Sequence, residues 1–376
     1  MPSIPLPEHA SIEHLKKQAK LVQQLVRSGD DGALAMMREF HPRSAELSRS
    51  PDGLDAFARS DAQLMVARLY GFASWPKLRD AVRLVREHTR SDPADIDTGS
   101  DAGSAANSVD RFVALACVSY NPVDVQARLV EAAAMFAADP SLGTGSIASM
   151  AATGHHRQLA EQLEADIDAA RRPTGPNGWP PVLYTVYSRV VSERDDCSAV
   201  ETIRLLLAHG ADPNSGFLWR GLVPPFTALT GALGWGEGDQ PPHPDRDRLV
   251  RVLLDAGADP NDGQGLYNNG LAGTAHDDPT HLRLLHGHGL GQDRNGPWYQ
   301  RFGDRLAAPD ELLHDELAVA AWRNLPNRLR FLVGLDLDLD RQSGRAGRTP
   351  MELAVEQGHD DIIEILRSAG AAGVAR

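Results

Sequence analysis

Apolar residues along this chain recur at helical spacing, in short runs separated by Gly, Pro, Asp and Asn. Near the amino terminus Ile12, Leu15, Ala19, Val22, Leu25 and Val26 share one helix face, which Ser11 can cap and Gly29 can end. Asp30 or Asp31 opens a second helix carrying Leu34, Met37 and Phe40, closed by His41-Pro42. Ser60 and Gln63 have the spacing of a capping box ahead of Leu64, Val66, Leu69 and Tyr70, with Gly71 as the stop. Ser74 begins a fourth helix, with Pro76 in its first turn and Trp75, Leu78, Val82 and Val85 on one side. Together they predict a small helical bundle over residues 1–90.

Residues 91–108 are acidic, rich in Ser, Gly and Ala, and aperiodic, which predicts a flexible linker. Helical stripes resume beyond it. Val125, Leu129, Ala132, Ala133 and Phe136 form one; Ile203, Leu205, Leu206 and Leu207 lead into His209-Gly210-Ala211-Asp212-Pro213-Asn214; Leu249, Val252, Leu253 and Leu254 lead into Gly257-Ala258-Asp259-Pro260-Asn261. Gly210 and Gly257 read as left-handed residues just past a helix, after which Asp-Pro-Asn turns the chain outward. Weaker copies end near Asp139-Pro140, Asp166, His288-Gly289 and Gly334-Leu335-Asp336.

The last unit is the most complete. In Gly347-Arg348-Thr349-Pro350-Met351-Glu352-Leu353-Ala354, Thr349 can cap a helix, Pro350 presets its first φ, and Leu353 and Ala354 make a short apolar face. Gly358-His359 ends it, and Ile362, Ile363, Ile365 and Leu366 stripe a second helix. This unit resembles the ankyrin repeat. The resemblance implies an all-α chain, an ankyrin-type helical solenoid with short hairpin loops, holding about seven divergent repeats with insertions over residues 109–373. Glycines at the repeated position lie 47, 32, 45 and 36 residues apart from Gly210 to Gly370, against about 33 in a bare repeat. The longer intervals therefore contain insertions. Likewise Ile12-Glu-His-Leu-Lys-Lys-Gln-Ala-Lys with Tyr70-Gly-Phe-Ala-Ser-Trp-Pro-Lys-Leu resembles the helical module found ahead of bacterial ankyrin-type repeats.

Charge narrows the partners. The net charge is −13, with 14 basic against 11 acidic residues through Arg90 and 24 against 40 beyond it. An acidic solenoid lacks the clustered cations that a phosphate backbone requires, so nucleic acid is not expected. Lys16, Lys17 and Lys20 read as a solvated helix face. No apolar run approaches 18 residues and the first residues lack a basic flank and apolar stretch, so neither membrane nor secretory signal is expected. Cys117 and Cys197 sit in apolar helical patterns and read as buried thiols in a cytoplasmic protein.

Candidate chemistry concentrates in three insertions, at residues 215–225, 234–245 and 291–309. Loops of this length are uncommon unless functional or disordered, and tryptophan argues against disorder. Their residues Trp219, Arg220, Trp235, Trp298, Tyr299 and Arg301, with Tyr267 and Asn268, form a candidate recognition set, because Trp, Tyr and Arg dominate binding hot spots. Tyr184 and Tyr187, after Trp179-Pro180-Pro181, join them as candidate pocket groups. The run from His276 to His288 holds four histidines, but an offset of five from His281 to His286 is out of helical phase. His288 also fills the slot that His209 fills beside its own glycine. No metal site is therefore expected. There is no nucleophile elbow, phosphate loop or Cys-x-x-Cys, so no catalytic residue and no cofactor is assigned. The expectation is a scaffold binding a partner protein or peptide on its concave and hairpin side. The alternative is a small-molecule or catalytic pocket closed by the Trp-rich insertions.

Overall fold

Of the capping residues seen in the pattern, all but Ser60 do cap. In the computed structural model, which describes residues 10–49, 53–89, 105–120, 125–190, 195–238 and 240–373 together with Ile4 and Ser192, Ser11 accepts from the His14 amide at 3.1 Å and opens α1 (Ile12–Arg27). Asp30 accepts from Ala33 at 2.9 Å and opens α2 (Asp31–Phe40), and Ser74 opens α5 (Trp75–His88). Between them lie α3 (Ser44–Arg49), which the pattern did not announce and which buries only Leu47, and α4 (Arg59–Leu69). The expected Ser60–Gln63 box gives way to Asp61. Its carboxylate accepts from the Ala58 amide at 2.9 Å and also meets His41 at 3.2 Å and Arg43 at 3.0 Å, so it fixes the helix start and two side chains at once. Leu15, Ala19, Val26, Met37, Phe57, Met65, Val66 and Leu78 belong to the buried core of this first unit, which comprises the chain up to Thr89 together with Arg220–Leu222.

The second unit, mostly helical like the first, is built from helix pairs. They are α6 (Ala105–Ala116) with α7 (Val125–Ala138), α8 (Ile147–Thr153) with α9 (His156–Ala165), α10 (Pro181–Tyr187) with α11 (Ala199–Ala208), and α12 (Ala228–Leu233) with α13 (Arg246–Asp255). There follow α14 (Gly263–Gly270), which packs on α12, and α15 (Thr280–Gly287), which packs on α13, then the single helix α16 (Pro297–Phe302), α17 (Pro309–Trp322) with α18 (Pro326–Val333), and α19 (Pro350–Gln357) with α20 (Asp360–Ser368). Helices α6, α8, α10, α12, α14, α17 and α19 pack in succession as one row; α9, α11, α13 and α15 form a second row, and α18 packs on α20. Helix α6 starts four residues inside the expected linker, whose residues 91–104 lie outside the described residues. The only paired strands among the described residues are β1 (Gly216–Phe217) and β2 (Phe226–Thr227), antiparallel. No helix among them is long and apolar enough to cross a membrane.

A hydrogen-bond relay joins successive turns. Asp212 accepts from the Asn214 amide at 2.8 Å, and Asn214 reaches forward to the Gly257 carbonyl at 2.9 Å and the Asp259 amide at 2.8 Å. One turn later Asp259 accepts from Asn261, which reaches the Asp293 carbonyl at 3.1 Å and the Gly291 amide at 2.9 Å. Near the end Asp338 accepts from Asp340, which accepts from Ala372 at 2.8 Å. Each relay satisfies backbone groups that the turn would otherwise leave orphaned. Gly210 and Gly257 are left-handed as the pattern required, at φ 83 and φ 93. Gly334 is not; the left-handed residue there is Asp336, at φ 56. In the last unit Thr349 and Glu352 form a reciprocal capping box and Gly358 stands at φ 70.

Between α10 and the β1–β2 hairpin lies an aromatic core. Trp179 stacks on Phe217 at 4.9 Å, Phe217 stacks on Phe226 at 5.7 Å, and Tyr187 lies 5.0 Å from Trp179. Cys117 is enclosed beside this region, and burial pushes its thiol up to about 12, which leaves it protonated and inert.

Candidate functional site

The insertion between α15 and α17 folds onto the turns of the preceding pairs. Pro297 occupies the first turn of α16, which presents Trp298, Tyr299 and Phe302 on one buried side. Trp298 donates from its indole nitrogen to the Asn214 carbonyl at 3.0 Å and stacks on Phe302 at 5.9 Å, while the Tyr299 hydroxyl donates to the Ala307 carbonyl at 2.8 Å. Both side chains are only 5 % exposed. Arg301 lies over the Trp298 ring at 4.9 Å, and Arg294 over Tyr299 at 5.5 Å. The insertion is therefore fastened on the hairpin side by its own aromatics, with their polar ends already paired.

Beneath it lies a cavity of about 100 Å³ whose walls include Asn214, Thr227, Asp259, Asp262, Trp298 and Arg345. Asp262 is enclosed. It accepts from the Thr227 hydroxyl at 2.7 Å, from the Thr230 hydroxyl at 2.8 Å and from the Gly265 amide at 3.0 Å, and burial still pushes its carboxyl up. Burial likewise raises Asp259. The space is small beside the roughly 300 to 1,000 Å³ of an ordinary small-molecule site.

A second hollow is open. The faces of α14, α17 and α19 leave a groove of about 250 Å³, with Tyr267, Leu271, Val319, Trp322, Arg345 and Leu353 among its walls. Trp322, at the end of α17, is 44 % exposed. Tyr267 donates to Glu237 at 3.1 Å; burial and that carboxylate both raise its phenol, while the Arg345 guanidinium lies 4.9 Å over its ring. Arg323 rests on Trp322 and donates to the Leu271 carbonyl at 2.9 Å.

Under this groove is a buried polar layer. Glu316 is 3 % exposed, and burial pushes its carboxyl up to about 7 against the pull of Arg328 and Arg345. Arg328 donates to the Asn269 carbonyl at 2.7 Å and the His276 carbonyl at 2.8 Å. Next to it, His281 is buried and driven well below the usual imidazole range, by desolvation first and by Arg328 second.

The sequence-derived candidates scatter. Tyr184 and Tyr187 are wholly enclosed in the aromatic core, donating to the Thr174 carbonyl at 2.7 Å and the Thr227 carbonyl at 2.9 Å; burial pushes both phenols far up, so neither supplies a proton in a pocket. Trp219 packs half-buried against the core near Phe226, and Arg220 is exposed at φ 49. Trp235 covers His276 at 4.3 Å. Asn268 is buried below Gly236 and accepts from Gln264 at 2.8 Å. Trp298 and Tyr299 wall the cavity, Arg301 covers Trp298 from outside, and Tyr267 alone of the set stands in the groove.

The groove's main exposed ring, Trp322, was missed. It follows the stripe of Leu313, Leu317, Ala320 and Ala321 but stands five residues past Leu317, out of helical phase with it, and it lies outside the three insertions. His209 and His288 share one role, each ring placing Nδ1 at 2.9 Å from the carbonyl four residues back. Among the described residues no group of three or more His, Cys, Asp or Glu could hold a metal ion.

No known family model matches this chain, and no curated protein matches it.

Proposed function

We propose that the helix pairs of the second unit are divergent ankyrin-type repeats stacked as a solenoid, and that the protein is a scaffold binding a peptide segment of a partner in the groove across α14, α17 and α19. The observation that carries this reading is the contrast in enclosure: the groove is open and apolar and presents Trp322 at 44 % exposure, whereas the aromatics of the insertion are sealed. An exposed aromatic over an apolar floor is the usual anchor of a protein contact. The repeated forward reach of Asn214, Asn261 and Asp340 supports a common unit. The two unbridged cysteines support a cytoplasmic setting.

The test is capture of partners from cell extract by the parent and by Ala346→Trp, a substitution at an exposed groove wall that fills the hollow. A partner enriched by the parent and lost with the filled groove supports the reading. Partners retained equally by both remove the groove from the account.

The small-molecule alternative draws on the enclosed cavity with its buried carboxylates. At about 100 Å³ it admits a few waters at ~30 Å³ each, or the head of a side chain.

A further inference from the structure

Arg345 stands apart from the other arginines of the groove. Its backbone amide donates to Asp315 at 3.2 Å, its Nε lies 4.0 Å from the other Asp315 oxygen, and its guanidinium carbon sits over Tyr267, 4.9 Å from the ring centre. Among the described residues no acceptor lies within hydrogen-bond distance of either terminal nitrogen. The side chain is 43 % exposed, and it forms part of the wall of both hollows. Ring and carboxylate thus hold one edge of the fork, while the other edge keeps its donors. Such a fork matches a carboxylate, with two parallel N–H donors to two oxygens.

We propose that the groove takes the carboxy-terminal residue of a partner chain, its apolar side chain lying against Leu271, Val319 and Trp322 and its terminal carboxylate on Arg345. The inference rests on the reading of the groove as a peptide site and adds the chemistry of the peptide's end. Volume favours a chain end: about 250 Å³ holds one large side chain, and the open side lets the preceding residues leave. Three carboxylates act on the fork: Asp315 on the Nε edge, Glu237 across the Tyr267 ring, and the buried Glu316, on which Arg345 pulls. The acidic surplus of the unit acts at long range and is screened beyond ~8 Å in physiological salt, whereas contact with the guanidinium is not.

The experiment is calorimetric titration of the full chain with four peptides, Gly-Gly-Gly-X with X as Phe, Leu, Trp or Val, each with a free and with an amidated terminus. The compound 3-phenylpropionate serves as a small acid without a peptide. At least one free-acid peptide is expected to bind, with its amide about 10-fold weaker or more, the worth of a charged bidentate contact. Arg345→Gln should abolish that preference and Ala346→Trp should abolish binding, with thermal melts confirming that both variants fold. Equal binding of acid and amide, blocked by Ala346→Trp, would overturn the carboxylate contact and leave the peptide groove standing. If 3-phenylpropionate binds as tightly as the best peptide, the chain-end assignment falls. Binding by none of the peptides overturns the inference, while the scaffold reading stays with the capture experiment.

Discussion

Two aromatic regions of the second unit use similar residues to opposite ends. On the hairpin side, Trp298 and Tyr299 are 5 % exposed, and their N–H and O–H groups are paired with the carbonyls of Asn214 and Ala307. On the row that contains α14 and α17, Trp322 is 44 % exposed and Tyr267 is half-buried, its hydroxyl on an exposed glutamate. The first pair fastens an insertion to the stack; the second leaves apolar surface in water. An aromatic in a long loop is thus no better a sign of recognition than one on a helix, because a loop needs its own anchor to be ordered at all.

Removing an anchor should have the largest effect. Trp298→Ala empties a buried site and strands the Asn214 carbonyl, so a loss of about 3 to 5 kcal/mol is expected in denaturant melts. A loss below ~1 kcal/mol would show that the insertion is not held by this ring.

The buried layer beneath the groove should show itself through pH. Glu316 is raised to about 7 in the folded state from 4.5, so the folded protein binds the proton more tightly than the unfolded chain. Its contribution to stability is therefore complete below about pH 4.5 and is lost as pH rises through 7. Glu316→Gln should flatten this slope and gain about 1 to 3 kcal/mol at pH 8 relative to the parent. An unchanged slope between pH 5 and pH 8 would mean that Arg328 neutralises the carboxylate in place.

Hydroxyl deletions sharpen the comparison further. Tyr299→Phe should cost about 1 kcal/mol, because the Ala307 carbonyl loses a partly buried partner. Tyr267→Phe gives up only an exposed contact with Glu237 and should stay within ~0.5 kcal/mol. Equal costs would erase the distinction between the closed and open regions.

Trp322→Ala should likewise change stability little, within about 1 kcal/mol by melt, since much of the ring is already in water. Its effect should instead appear in partner capture. A melt as damaged as that of Trp298→Ala would place Trp322 among the anchors.

Much of the helical framework was legible from residues alone. Ser11, Asp30, Ser74 and Thr349 cap where their spacing placed them, and Gly210, Gly257 and Gly358 take the left-handed turns. The failures have local causes. Asp61 displaced Ser60 because a carboxylate that also meets His41 and Arg43 outweighs a hydroxyl with one partner, and α3 carried a single buried leucine, too little for a periodic signal. Of the candidate site, Tyr267 was found and Trp322 and Arg345 were not.

Capping, helix stops and the apolar stripes depend on neighbours within a few residues, and the sequence by itself determined them. Exposure does not work that way. Whether Trp298 is sealed depends on a carbonyl 84 residues earlier in the chain, and whether Trp322 is open depends on how α14 and α19 flank α17. The same holds for Arg345, whose fork is aimed by a ring at position 267 and a carboxylate at position 315. Periodicity assigns a side chain to a face; only the packing of distant helices decides whether that face meets protein or water.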